Sequence, residues 1–524
     1  MSKRFNDTGL CIPEKHYMAD TSSKLTAILT LIEEGSYFAI NRPQQYGKTT
    51  IAHLLGLELI NRADYLALEL SFEGIGDVIF EQEATFCTGF INLLIKELTY
   101  LKEDTLKNYL QDIKPQITDI AELSESITWI CEHTPKKVVL IIDEIDKSSN
   151  NQLFLSFLGL LRDKYLRRNR GRDSSFQSVI LIGVHDIKTL KLKITGDATG
   201  KLNSPWNIAV DFPVDMGFSV EEIRPMLADY VEERGIKMDT TVIAEKIHYY
   251  TSGYPFLVSK ICKIIDETIL PNTGKKQWTI AEVEAAVKAI TYVGYTMTLF
   301  DSLVKNLEND SELYQMLFDI SINGLQYDFY IGAPTIYKAF LLGFIKDKSG
   351  ICAIRNRIFE QRFYNHFLSK QARTKGLLEI EEDPGIFSKK GLNLELVLQK
   401  FQQFIKENYT TQDTQFLERE GRLLFLSFLR PILNGKGFDF KEPVIGEERR
   451  IDIVITYLNR RYVIELKRWR GKKYHEAGLQ QLSDYLDTYA IKKGYLLIFD
   501  FRKTKTYQQK VITFKDKTIF AVWV

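Results

Sequence analysis

Five consecutive aliphatic residues, Val138-Val139-Leu140-Ile141-Ile142, run without a polar break into Asp143 and Glu144. A strand with one wet face alternates apolar and polar side chains, whereas a strand apolar at every position needs cover on both faces. The run therefore predicts a central strand of a parallel sheet sandwiched between helices. Its end delivers two carboxylates, one placed to hold Mg²⁺ and the other to act on an attacking water. The plainer alternative is a surface loop that happens to open with two acidic residues.

A second constraint lies upstream. Ser36 to Ile40 reads as a strand, Asn41 to Thr50 as a loop and Ile51 to Leu57 as an apolar helix. A phosphate cradle needs this order: backbone N–H groups of the loop surround the phosphates, a Lys reaches them, and a Ser or Thr hydroxyl binds Mg²⁺. Gly47, Lys48 and Thr49 fill the last three positions of G-x-x-x-x-G-K-[ST], and Arg42 stands where the first Gly belongs. That motif is incomplete by itself, and its pairing with Lys137 to Asp146 in the right order makes the combination specific.

Further strands are expected at Tyr65 to Phe72 and Ser178 to Val184, with helical stretches such as Phe86 to Leu101 and Leu153 to Tyr165 between them. Alternation of this kind predicts an α/β sheet covered on both faces. From Ser219 onward the pattern turns helical, with Val220 to Glu233, Thr240 to Tyr250, Pro255 to Thr268 and Ala281 to Leu307, which reads as an all-α or winged-helix lid. Gln371 to Leu392 reads as a linker. A length of 524 residues exceeds what one core supports. The expected domains are 1–215, a P-loop ATPase core; 216–384, the lid and linker; and 385–524, a second α/β domain.

The sequence up to this point resembles the AAA-type ATPases of the STAND and ORC-like branch, in particular members whose P-loop reads R-P-x-x-[FY]-G-K-[ST]. Arg42-Pro43-Gln44-Gln45-Tyr46-Gly47-Lys48-Thr49 fits that variant, in which the first Gly is absent. The resemblance covers about residues 10 to 370 and implies ATP and Mg²⁺ as cofactors. Arg42, Gly47, Lys48, Thr49, Thr50 and Asp143 are the expected nucleotide-binding set, Thr49 and Asp143 the Mg²⁺ ligands, and Glu144 the catalytic carboxylate. Val179 to Asp186 matches a sensor strand and Gly253-Tyr254-Pro255 a lid motif. The basic run Arg167 to Arg172 reads as an arginine finger, a nucleic-acid contact or, more plainly, a solvated loop.

The last quarter has a different character. From Gly391 onward there are 24 Lys and Arg against 16 Asp and Glu, a net +8, while the residues before it carry −7. A polyanionic partner would meet the chain here. Arg450 to Lys467 reads as a β-hairpin turning at Asn459-Arg460. With that centre Asp452 lies opposite Lys467 and Val454 opposite Glu465, so Asp452, Glu465 and Lys467 share one face. Two carboxylates and an ammonium can hold Mg²⁺, polarise a phosphodiester and position water. An edge hairpin with one solvated face would carry the same residue types.

Glu418-Arg419-Glu420 on a helical segment upstream and Tyr474 to Leu486 downstream complete a likeness to the PD-(D/E)XK nucleases over about residues 390 to 524. The resemblance implies metal binding by Asp452 and Glu465, water orientation by Lys467, an accessory role for Glu420 and a glutamine at Gln481, with Gln480 as its rival. ATPase followed by nuclease is also the order of a known prokaryotic family. An ATP-controlled, Mg²⁺-dependent DNA endonuclease acting in defence against foreign DNA or in DNA turnover is therefore the leading expectation. A nucleotide-dependent switch or DNA-binding scaffold with a non-cleaving domain, or an RNA nuclease, are the alternatives.

Other features narrow the setting. The first residues hold no apolar leader, and no apolar stretch approaches the length needed to span a bilayer. A cytoplasmic protein without a membrane partner, open to assembly as a homo-oligomer, is expected. Cys11, Cys87, Cys131, Cys262 and Cys352 are scattered, form no C-x-x-C pair, and read as reduced thiols.

Overall fold

The computed structural model describes residues 2–74, 76–148, 152–184, 206–292, 298–323, 325–374, 385–388, 391–408, 421, 424–426, 428–429, 438–440, 453–457, 460–469, 472–488, 490–500, 502 and 507–524. The chain divides into two compact units, one of residues 1–315 with 326–361 and one of 316–325 with 362–524.

In the first unit, β1 (Tyr37–Asn41), β2 (Tyr65–Ser71), β3 (Lys137–Asp143) and β4 (Ser178–Gly183) form a parallel sheet in the order β1-β4-β3-β2. Every residue of β3 from Val138 to Ile142 is buried, as the unbroken apolar run requires. Leu68, Leu140 and Leu181 point to one face and pack with Phe90, Leu94, Leu110, Ile127 and Phe157 of helices α3 (Glu83–Tyr100), α4 (Asp104–Ile113), α5 (Ile120–Glu132) and α6 (Gln152–Asn169) in one continuous core. The sequence-expected α/β arrangement is thus observed, with α1 (Ser22–Glu33) and α2 (Lys48–Ile60) packed together and α2 also touching β2, β3 and β4.

A helical region follows. Helix α7 (Val220–Arg234) begins with a capping box, in which Ser219 accepts from the Glu222 N–H and Glu222 accepts from the Ser219 N–H. Helices α8 (Thr240–Thr251) and α9 (Pro255–Ile264) come next. The stretch expected as one helix, Ala281 to Leu307, contains two, Ile280–Tyr292 and Thr298–Glu308. A hairpin of β5 (Ile345–Lys348) and β6 (Ile351–Ile354) turns through Ser349 and Gly350, both at positive φ, as a two-residue turn that follows strand twist demands.

In the second unit a short pair, β7 (Phe387–Ser388) and β8 (Gly391–Leu392), precedes the helix Leu394–Asn408. The main sheet has the order β13-β14-β12-β11-β10-β9. Here β9 (Phe438–Phe440), β10 (Ile453–Tyr457) and β11 (Arg460–Arg468) run antiparallel, β12 (Lys493–Phe499) and β14 (Lys517–Trp523) are parallel to β11, and β13 (Gln509–Phe514) is antiparallel to β14. The helix Lys472–Thr488 crosses from β11 to β12 and buries Leu479, Leu482 and Leu486 against Val454, Val463, Leu496 and Ile498.

The hairpin closes one residue earlier than expected. Tyr457 pairs with Arg460 and Val454 with Val463, not with Glu465. The two-residue connection is the commonest hairpin loop, and slipping the pairing by two positions leaves each side chain on its original face. Glu465 and Lys467 therefore still share a side, but the crossover helix covers it; it is not a solvated edge. Among the described residues, no helix is long and apolar enough to cross a membrane.

Candidate functional site

The loop between β1 and α2 is shaped by two left-handed residues, Gln45 (φ 55°) and Gly47 (φ 79°), the second capping the N-terminus of α2. This turns the free N–H groups of the helix start toward a cavity of about 690 Å³, lined by Gly47, Lys48, Thr49, Glu73, Glu144 and Asp146 among others. Lys48 is only 8% exposed and donates to the carbonyls of Arg42 (3.1 Å) and Pro43 (2.9 Å). Burial holds its pKa below the usual lysine range, while Asp146, Glu144 and Asp143 oppose that shift. Thr49 is exposed at the cavity, and Thr50 accepts from the Cys11 N–H (3.3 Å).

Asp143, at the end of β3, is buried and accepts the Glu144 N–H at 2.8 Å. Glu144 adopts φ 58°, a conformation that costs a non-glycine residue about 1 to 2 kcal/mol. Burial, and next the Asp143 charge, raise its pKa. Asp146 accepts the Val184 N–H at 2.7 Å and so joins the ends of β3 and β4. A Cβ on Gly183 would lie 2.9 Å from the Asp146 carboxylate, which accounts for a glycine there. His185 and Asp186 of the expected sensor lie outside the described residues. Among the described residues, no three His, Cys, Asp or Glu form a group that would hold a metal alone. Thr49 and Asp143 supply oxygen donors of the kind Mg²⁺ accepts together with phosphate oxygens and water.

Arg42, expected in the nucleotide-binding set, does not line this cavity, and neither does Asp143, expected as a Mg²⁺ ligand. The Arg42 guanidinium lies over the Phe212 ring at 5.2 Å and donates to the Val214 carbonyl at 2.7 Å. Arg42 thereby ties the loop to the segment after β4, and only its backbone carbonyl meets Lys48. The helical region holds the back of the same loop. The Tyr254 hydroxyl donates to the Gln44 carbonyl, its ring meets Tyr46 edge-on at 4.8 Å, and Arg355 lies 5.0 Å over the Tyr46 ring and donates to its hydroxyl. Pro255 approaches Gly47, and Gly343 sits so near Pro43 that a Cβ would be 2.7 Å away. The motif Gly253-Tyr254-Pro255 was legible in sequence, whereas Arg355 carried no local signal.

A second, mainly apolar cavity of about 150 Å³ adjoins the loop, lined by Tyr46, Ile51, Met216, Phe218, Met226 and Pro255 among others. It was not anticipated, because its walls come from distant parts of the sequence. Of the basic run, Arg168 donates to the carbonyls of Gln177 (2.7 Å) and Gly35 (2.8 Å), so it fastens the end of α6 to β1 and β4 and is not a free finger.

In the second unit, Glu465 is fully buried and pairs with Lys467 at 2.8 Å, the Lys467 side chain being 33% exposed. Lys467 also donates to Gln481 at 3.0 Å, while Gln480 turns to Asp484. Gly478 lets the helix pass over the lysine stem, since a Cβ there would stand 3.3 Å from it. Asp452 and Glu420 lie outside the described residues.

An uncharacterized WD repeat-containing protein of Synechocystis is 23% identical over 248 residues, which span 46% of this chain but 19% of that protein. Solved structures aligned with this chain include a Walker-type ATPase of Pyrococcus abyssi (11% identity, TM-score 0.46, covering 68% of this chain and 99% of that one). Others are the Thermotoga maritima RuvB Holliday junction branch migration motor (13%, 0.32, 66% and 93%) and Drosophila ORC bound to DNA (12%, 0.31, 70% and 80%). The family described as AAA-like domain matches residues 10–365. With that match across two thirds of its length, and a phosphate cradle facing paired carboxylates, the chain belongs to the AAA-like domain family and is a nucleotide-binding, ATPase-like protein.

Proposed function

We propose that this chain is an ATP-controlled, Mg²⁺-dependent DNA endonuclease, with nucleotide chemistry in residues 1–384 and phosphodiester cleavage in residues 385–524. The observation that carries the nuclease half is the buried Glu465 paired with Lys467, itself joined to Gln481. A buried carboxylate is costly to keep charged, and a cation and a metal are the partners that offset it. Asp452, Glu420 and Gln481 complete the proposed set by motif. Mg²⁺ supplies a Lewis acid for the phosphodiester and its water. Lys467 presents the ammonium that positions that water, and Gln481 fixes the lysine.

In the nucleotide half, Lys48, Thr49 and the N–H groups at the start of α2 hold the phosphates, the apolar cavity beside Tyr46 takes the base, and Glu144 orients the water. The basic balance after Gly391 supports a polyanionic substrate. A cytoplasmic setting, assembly into a homo-oligomer and a role in defence against foreign DNA belong to the same proposal.

The test is cleavage of plasmid and single-stranded DNA with Mg²⁺, with and without ATP, comparing the unsubstituted chain with Glu465→Gln. The substitution removes a charge without opening a cavity, and a loss of cutting of about a hundredfold or more is expected with the melting temperature retained. Equal cutting by both proteins overturns the assignment of Glu465. Cutting of RNA but not DNA would move the substrate to the alternative named above.

A further inference from the structure

The side of β11 that carries Glu465 and Lys467 continues beyond the strand. Trp469 follows Lys467 by two residues, and its N–H still extends the ladder by donating to the Phe499 carbonyl at 2.9 Å. Side chains two apart on an extended chain point the same way, about 6 to 7 Å from each other. The helix Lys472–Thr488 reaches both side chains. Gln481 meets Lys467, and His475, nearer the helix start, meets Trp469 with ring centroids 5.5 Å apart. Trp523 backs both rings, at 6.4 Å from Trp469 and 5.8 Å from His475.

The outer side of this cluster is cationic. The Arg502 guanidinium lies over the Trp469 ring at 5.3 Å. It is held flat by a two-point pair with Asp500, Nε to Oδ1 at 2.9 Å and Nη2 to Oδ2 at 2.6 Å. Asp500 is 1% exposed and the Arg502 side chain 53% exposed. A buried aspartate requires a cation, but that requirement does not call for a tryptophan beneath the guanidinium or for a guanidinium open to water. Lys510 is exposed; burial first, and Lys510 against the opposing Glu476, keep the His475 pKa below the usual imidazole range.

Nucleobases stack on aromatic rings and on guanidinium planes, and a base can do so only when it is not already stacked in a duplex. We propose that Arg502, Trp469 and His475 form a stacking shelf for an unpaired base of a single DNA strand whose neighbouring phosphate is held at Lys467. The inference deepens the nuclease reading and rests on it for the position of the phosphate. It makes single-stranded DNA, or a duplex opened at the site, the preferred substrate.

The experiment is equilibrium binding by the full chain carrying Glu465→Gln, without metal, so that nothing is cut. The probes are fluorescein-labelled oligothymidylate, an abasic strand of the same length and a duplex of that length. Oligothymidylate should bind more tightly than the abasic strand and quench tryptophan fluorescence, and Trp469→Phe should remove most of that quenching. Arg502→Lys keeps the charge and the partner of Asp500 but loses the flat plane, so it guards against a misfolded Trp469 variant. It should weaken oligothymidylate binding about tenfold and change duplex binding less than about twofold. Equal weakening on both, or no preference of the starting protein for thymidylate over the abasic strand, overturns the shelf. Because no cleavage is read, the outcome is separate from that of the nuclease assay.

Discussion

At the scale of single residues, the nucleotide site is arranged by partners that sequence spacing cannot show. Glu69 illustrates how far this reaches. It sits on β2, its carboxylate in the space that a Cβ of Gly56 on α2 would fill, with Glu97 and Asp143 nearby. Burial, then Glu97 and Asp143, push its pKa up to about 7. A carboxyl group whose pKa is higher folded than unfolded favours the native state at low pH. That contribution is complete below the unfolded value near 4.5 and fades as pH rises through about 7, at on the order of 1.4 kcal/mol per pH unit at most. Glu69→Gln, which is neutral at every pH, should therefore melt close to the unsubstituted chain at pH 5 and above it at pH 8. Thermal unfolding across that range checks this, and parallel curves would contradict it.

At the scale of elements, Gly253 links the helical region to the P-loop. Its φ of 72° is strained for any side chain, and a Cβ would stand 2.1 Å from the Phe218 carbonyl oxygen, which is backbone and cannot turn aside. The same residue's carbonyl accepts the Phe218 N–H at 2.8 Å. Gly253→Ala should cost about 2 kcal/mol or more and displace Tyr254 and Pro255 from behind the loop, so melting temperature and ATP affinity fall together. ATP binding measured by titration, alongside a melt, checks it; unchanged affinity would mean that the loop keeps its shape without that support. The elements themselves were largely legible. Five apolar residues ending in Asp143 describe a buried strand whatever surrounds them, and Gly47-Lys48-Thr49 marks the start of a helix. The hairpin turn was misplaced by one residue because Leu458-Asn459-Arg460 offers no Asn-Gly or Asp-Gly to fix the loop. Arg42 and Arg355 were illegible for a different reason: their partners lie 172 and 309 positions away, and no periodicity carries such pairings. Gln481, preferred over Gln480 by motif, is the one that the helix phase brings to Lys467.

At the scale of the whole molecule, a net charge of +1 conceals a residue distribution of −7 before Gly391 and +8 after it. An acidic nucleotide-binding part does not compete for a polyanion, and a basic part does not need the nucleotide site to attract one. Attraction to DNA alone therefore gives no reason for the two to share a chain; the proposed control of one by the other would. Lys48→Ala removes the ammonium proposed to meet the phosphates, and ATP hydrolysis should fall by about a hundredfold or more. If nucleotide state governs the Glu465 site, DNA cutting by this variant should lose its response to added ATP, becoming either constant or absent. Cutting assayed with and without ATP, beside Glu465→Gln as the variant that spares hydrolysis, separates the cases. Cutting that still responds to ATP after Lys48→Ala would mean that the nucleotide acts elsewhere. An unsubstituted chain that cuts equally with and without ATP would mean that the ATPase serves structure or placement, not control.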